Sequence, residues 1–198
     1  MVMISVVKNF ITKEELEIVN STIERLNAAN AWGTHDYGWN GRIINPFVLR
    51  GHSDAYSADI SDKKCLEVLV DIRLRVRDHI LTTREFSGPI YADMLQLVRW
   101  LPGNDQMPHA DSQHENGLPH PYPWREQASV IYLNDDYEGG EVYFPHHGID
   151  IKPEPGMLAT FPGTTEYMHG VRAVKSGTRY TIASFWTTDI SKKDDTYQ

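Results

Sequence analysis

Cysteine is almost absent from this chain. The one thiol is Cys65, so no internal disulfide can form and no zinc cage of several thiolates can be built. Basic charge is also scarce, with 19 Lys and Arg against 27 Asp and Glu and a net charge of -8. Surfaces that neutralise phosphates need clustered cations, so nucleic acid is a disfavoured partner. Long apolar runs are missing, and no stretch reaches the length of a membrane span. The opening residues, Met1 to Phe10, have neither a basic leader nor an extended apolar stretch. These absences predict a cytoplasmic protein that does not engage membranes.

What is present is enough for a folded unit. At 198 residues and 40% hydrophobic content the chain can bury a substantial core, and its length suits one domain over 1–198, with a helical part over 1–89 and a β core over 90–190. Met3 to Val7 is short, apolar and β-branched, which suits a strand. Thr12 with Glu15 forms a capping box, and Leu16, Val19, Ile23 and Leu26 then recur at helical spacing. A second helix is predicted over 61–81, where Cys65, Leu69, Ile72, Val76 and Ile80 form an apolar stripe. The thiol on that stripe reads as core filler. Residues 29–60 keep no period and read as loop with short strands.

From Ile90 the pattern changes to β segments separated by Gly, Pro, Asn and Asp: 94–101, 128–133, 141–144, 157–161, 168–173 and 178–187. Their spacing predicts an all-β barrel or sandwich. Residues 134–140 and 175–177 carry turn chemistry, and Glu138 to Glu141 reads as a tight turn whose glycines permit positive φ. The stretch 112–127 holds Pro119, Pro121 and Pro123 among His and aromatic residues, so it is excluded from a central strand and reads as a surface loop, either a lid or a tolerated insertion. Phe185 and Trp186 are expected to pack the barrel, and His35, His52 and His79 to be structural or at the surface.

In His109-Ala110-Asp111 an imidazole and a carboxylate stand two apart, and on an extended backbone such side chains share a face. A third ligand is needed to hold a divalent metal. His169, near a predicted strand, is a better candidate than His146 and His147, which sit in a turn-like Pro-His-His-Gly segment. Two imidazoles and one carboxylate on one side of a metal leave positions open, an arrangement suited to non-haem Fe(II), although Zn(II) and Mn(II) accept the same donors. Arg179 opens a strand rich in β-branched and aromatic residues. Its guanidinium needs an anion there, either a substrate carboxylate held bidentately or a structural acid.

Several ordered motifs over 94–187 sharpen this: Leu-Val-Arg-Trp-Leu-Pro-Gly leading into Pro-His-Ala-Asp, then Val-Ile-Tyr-Leu-Asn-Asp with Glu-Gly-Gly-Glu-Val-Tyr-Phe-Pro, then Pro-Gly-Met-Leu-Ala-Thr-Phe, and last His-Gly-Val with Gly-Thr-Arg-Tyr and Phe-Trp. Together they resemble the prolyl 4-hydroxylase-like branch of the Fe(II)/2-oxoglutarate dioxygenases. The resemblance implies a mostly β fold with flanking helices around a double-stranded β-helix, the jelly-roll core also found in cupins. It implies His109, Asp111 and His169 as iron ligands, Arg179 as the partner of the distal carboxylate of 2-oxoglutarate, and Tyr132 as a hydrogen-bonding tyrosine for the same co-substrate.

At Trp100 the sequence departs from the many relatives that carry a tyrosine, since an indole offers only an N–H. The chemistry implied is hydroxylation of a C–H bond, with a prolyl residue of a peptide or protein as the leading substrate. Fe(II), 2-oxoglutarate and O2 would be required, and ascorbate would serve as a reductant. Two other readings fit the ligands: a cupin-like metal-containing module without redox activity, and a Zn(II) hydrolase. The latter leaves Arg179 without a role. Hydroxylation of a free amino acid or another small molecule is the alternative within the same chemistry.

Overall fold

The computed structural model describes residues 3–34, 42–44 and 63–194. In chain order the elements are β1 (Ser5–Val7), α1 (Lys13–Ala28), β2 (Gly33–Thr34), β3 (Arg42–Ile44), α2 (Lys63–Thr83), β4 (Tyr91–Trp100), β5 (Gln106–His109), β6 (Gln127–Tyr132), β7 (Glu138–Gly139), β8 (Val142–Phe144), β9 (Ile149–Ile151), β10 (Leu158–Pro162), β11 (His169–Val171), β12 (Val174–Ser176) and β13 (Arg179–Thr187).

α1 starts where its capping box predicts. The Thr12 hydroxyl accepts from the Glu15 amide at 3.2 Å, and the Glu15 carboxylate accepts from the Thr12 amide at 2.7 Å. Val19, Ile23 and Leu26 are buried on one face. α2 buries Cys65, Leu69, Ile72, Val76 and Ile80, the predicted stripe. Residues 61 and 62, predicted to open this helix, lie outside the described residues, as do His35, Tyr37, Trp39 and His52.

The strands form a seven-stranded sheet in the order β1-β10-β6-β13-β4-β3-β2, a four-stranded sheet β5-β11-β8-β9 and a two-stranded ladder β12-β7. Every pairing is antiparallel. Period-two alternation divides the large sheet between two cores. Leu95 and Leu97 of β4, Ile131 of β6 and Ile182 of β13 pack with α1 and α2. Val98, Trp100, Ala128 and Tyr132 face the other way and meet Val142, Phe144, Ile151 and Val171 of the small sheet. Each fully buried Leu, Ile or Phe contributes about 1.5–3 kcal/mol, so the two faces together hold the helices and the second sheet in place.

Four short strands were not predicted. β5 has the sequence Gln-Met-Pro-His, whose proline argues against a strand interior. β9 spans three residues, too few for a period to register. β7 and β12 pair with each other inside stretches that carry turn chemistry. Their partner is distant in sequence, and local pattern cannot report it. Trp186 also differs from expectation: it packs on the helix side of the sheet rather than inside the barrel, because alternation along β13 puts it on the face of Tyr180 and Ile182, opposite the cavity-lining Thr181, Ala183 and Phe185.

Candidate active site

β5 and β11 run antiparallel with His109 directly opposite His169. Their ring centroids are 4.5 Å apart. Each ring uses Nδ1 toward the carbonyl two residues before it, His109 to Met107 at 3.0 Å and His169 to Tyr167 at 3.2 Å. Donation by Nδ1–H leaves Nε2 as the lone-pair nitrogen, the form in which imidazole ligates a metal. Asp111 follows β5 and lies between the rings, with Oδ1 3.7 Å from Nε2 of His109 and Oδ2 3.7 Å from Nε2 of His169. Those separations exceed a hydrogen bond. All three ligand atoms lie within 4.8 Å of one another.

Gly163 fixes the carboxylate. Its carbonyl accepts the amides of Asp111 and Ser112, both at 3.0 Å, and the Ser112 hydroxyl at 2.9 Å. A Cβ at Gly163 would fall 2.2 Å from the Arg125 carbonyl oxygen and 3.2 Å from Asp111 Cβ, so only glycine permits this approach. Phe161 and Phe144 wall His169, with ring centroids at 4.4 and 5.8 Å.

Burial pushes His169 down to about 4, against the pull of the Asp111 carboxylate. His109 is disfavoured as a cation by burial, yet the neighbouring Asp111 carboxylate outweighs this and raises it. Burial acts to raise Asp111, but His169, His109 and Arg125 together lower it. The cluster thus offers a carboxylate and two basic ring nitrogens. Asp111 Oδ2 is buried and accepts no hydrogen bond from the described residues, a cost of about 1–3 kcal/mol that a bound cation would offset. These donors fit Fe(II).

The three residues border a cavity of about 860 Å³. Alternate residues of two strands, Gln96, Val98 and Trp100 from β4 and Arg179, Thr181 and Ala183 from β13, line it. Arg179 is 1% exposed. It forms no ion pair among the described residues, and its Nε and Nη1 are buried without hydrogen-bond partners. The structural-acid alternative for Arg179 therefore finds no acid among the described residues. Trp100 and Tyr132 flank the guanidinium carbon, with ring centroids 5.2 and 5.3 Å away. Tyr132 is fully buried and does not itself line the cavity. Burial raises its phenol while the charge of Arg179 lowers it. Gly140 has a second function besides its φ of +69: a Cβ there would stand 2.7 Å from Arg179 Cδ.

Of the stretch 112–127 expected to be loop, residues 112–126 contain no strand while Gln127 opens β6, and Gln113, His114, His120 and Tyr122 line the cavity. Arg125 ties this loop down: it lies 3.9 Å from the Tyr122 ring centroid, 3.8 Å from that of Phe185, and 2.8 Å from an Asp93 carboxylate oxygen. His79 is structural, at 3.1 Å from the Ser5 hydroxyl. His147 stacks on Tyr167 at 4.8 Å, outside the metal cluster. Arg125 and Gly163 have no signal in the local sequence, because each acts through partners distant along the chain.

Residues 95–187 match the model of the 2OG-Fe(II) oxygenase superfamily. Human prolyl 3-hydroxylase 2 is 37% identical over 110 residues, which cover 53% of this chain and 14% of that protein. The chain thus spans about a seventh of the length of that relative. Among solved structures, the viral collagen prolyl hydroxylase of Paramecium Bursaria Chlorella virus-1, in complex with 2OG, superposes with a TM-score of 0.66 at 18% identity, covering 94% of this chain and 96% of that one. A Trichoplax adhaerens prolyl hydroxylase in complex with a peptide fragment of the hypoxia inducible factor oxygen degradation domain gives 0.69 at 15% identity, covering 98% and 87%. These likenesses establish the expected jelly-roll core with flanking helices. The matched residues contain His109, Asp111, His169 and Arg179, so the segment that carries the site, residues 95–187, matches the 2OG-Fe(II) oxygenase superfamily.

Proposed function

We propose that this chain is an Fe(II)- and 2-oxoglutarate-dependent dioxygenase that hydroxylates a prolyl residue in a peptide or protein, releasing succinate and carbon dioxide. One observation carries the reading: a single cavity is bordered by three gathered ligand atoms and by a buried guanidinium that pairs with no acid among the described residues. His109, Asp111 and His169 would hold the metal. Arg179 would take the distal carboxylate of 2-oxoglutarate through charge-assisted hydrogen bonds, with Tyr132 beside it.

Bound Fe(II) would supply the redox chemistry that couples decarboxylation of 2-oxoglutarate to insertion of one oxygen atom of O2 into a C–H bond. The protein supplies position and a dry wall. Phe161, Val98 and Val171 give the cavity an apolar wall that would limit water at the reacting centre, and the loop 112–126 would cover an extended peptide. No helix among the described residues is long and apolar enough to cross a membrane, and the single buried thiol suits a reducing compartment, the cytoplasm. Residues 1–198 are read as one oxygenase domain, and ascorbate as an auxiliary reductant.

Prolyl substrates are suggested by the names of the relatives, one of which is a 3-hydroxylase. Proline-containing peptides incubated with Fe(II), 2-oxoglutarate and O2 are expected to gain one oxygen atom by mass spectrometry, and the fragment spectrum locates it on the ring. Succinate release with no peptide oxidised would retain the oxygenase and reject the prolyl substrate. No 2-oxoglutarate turnover at all would favour a cupin-like binding module.

A further inference from the structure

Arg179 is surrounded by more unsatisfied polar atoms than its own. Among the described residues, the buried hydroxyls of Tyr132 and Tyr137 have no hydrogen-bond partner, and neither do Nε and Nη1 of the guanidinium. The Tyr137 ring and the Arg179 stem converge on one glycine: a Cβ at Gly140 would lie 2.7 Å from Arg179 Cδ and 3.2 Å from Tyr137 Cε2. Tyr137 is further fixed from behind, where a Cβ at Gly177 would meet its Cα at 2.8 Å. Buried polar groups are paired in the great majority of folded proteins, and each orphan costs about 1–3 kcal/mol. Four in one place mark a cluster organised for a group that is added later.

We propose that Tyr137 is a positioning residue for the co-substrate anchor: its phenol oxygen holds the Arg179 guanidinium in the orientation that receives the distal carboxylate. Tyr137 does not line the cavity, so it acts through Arg179 rather than on the ligand. A carboxylate arriving from the cavity side draws the guanidinium into a bidentate geometry. The N–H groups facing away are then free to donate to the two phenol oxygens, which accept. Burial pushes the Tyr137 phenol up to about 12, with Arg179 pulling the other way, so the oxygen remains a neutral hydroxyl at physiological pH. This inference rests on Arg179 as the anchor of 2-oxoglutarate.

The test compares two ligands on the anaerobic Fe(II)-loaded protein by calorimetry: 2-oxoglutarate, and 2-oxobutyrate, which keeps the 2-oxo acid and lacks the distal carboxylate. The wild type is expected to prefer 2-oxoglutarate strongly. Tyr137→Phe, which removes one oxygen and keeps the ring, is expected to lose roughly fivefold of that preference, with 2-oxobutyrate affinity and Fe(II) affinity unchanged and the melting temperature of the ligand-free protein no lower. Should the Phe variant fail to fold, Tyr137→His keeps a polar ring and is read by the same ratio, an intermediate loss being expected. A variant with the wild-type ratio overturns the role of Tyr137. A wild type that does not discriminate the two acids overturns the Arg179 anchor itself, and the inference with it.

Discussion

His109 and His169 are direct cross-strand partners, one at the end of β5 and the other at the start of β11, so a single antiparallel pairing carries two of the three candidate ligands. Residues opposite each other in such a ladder hold their Cβ atoms about 4.5–5.5 Å apart. That spacing allows two imidazoles to address one ion. Asp111 needs a separate device, the Gly163 carbonyl, because it lies beyond the strand.

Removal of any one ligand should abolish metal-dependent turnover. Loss of outer-shell partners of metal ligands typically costs about 10–100-fold in affinity, and loss of a ligand should exceed this. Asp111→Ala and His169→Ala are expected to bind Fe(II) or Mn(II) more than roughly 100-fold more weakly in anaerobic titration, with the fold preserved by circular dichroism. Wild-type metal affinity in either variant would refute the assignment.

Arg179→Ala is expected to spare the metal and weaken 2-oxoglutarate. Hydrogen bonds to charged groups are worth about 1.5–3 kcal/mol, which corresponds to roughly a 10- to 150-fold rise in Kd at room temperature. Arg179→Lys should recover part of it, since an ammonium keeps the charge but not the fork. Equal 2-oxoglutarate affinity in wild type and the Ala variant would remove the anchor.

Gly163→Ala should disturb the metal site without touching a ligand. The added methyl would meet backbone 2.2 Å away, which cannot yield as a flexible side chain would. Overpacking of this kind costs about 1–3 kcal/mol, and the shift is transmitted to Asp111. Weaker metal binding and a lowered Tm are expected, whereas Gly88→Ala, with nothing within 4 Å, should retain wild-type metal affinity. Intact metal affinity in Gly163→Ala would show that the carboxylate is fixed by something else.

Metal affinity should fall as pH drops toward mild acid. His109 is raised above the ordinary imidazole value of 6.5, so its Nε2 takes up a proton first, and proton and metal compete for the same lone pair. His169, held near 4, stays neutral over that range and releases no proton. Calorimetry in buffers of different ionisation enthalpy should find close to one proton displaced per metal near pH 6. An affinity that is flat from about pH 8 to 5.5 would contradict this.

Much of the fold was legible in local pattern. The capping box at Thr12 and Glu15 and the stripes of α1 and α2 reflect interactions within a few residues. The long strands β4, β6 and β13 announced themselves by β-branched and aromatic content. β5 did not, because Pro108 masks it, and β5 carries His109. The lid-or-insertion alternative for residues 112–127 was resolved only as far as placement: the segment walls the cavity through partners, Asp93 and Phe185, that lie far away in sequence.

The order of residues by itself determined the chemistry available: two imidazoles, a carboxylate and an arginine in motifs of one family, on a chain too poor in thiols and cations for several other functions. Tertiary structure decided which atoms meet. The pairing of β5 with β11, the glycine gap that admits Asp111, and the two phenols gathered around Arg179 all depend on contacts between distant segments. Such contacts form only when strands close into a barrel, since side-chain direction there follows from register and not from the identity of neighbours along the chain.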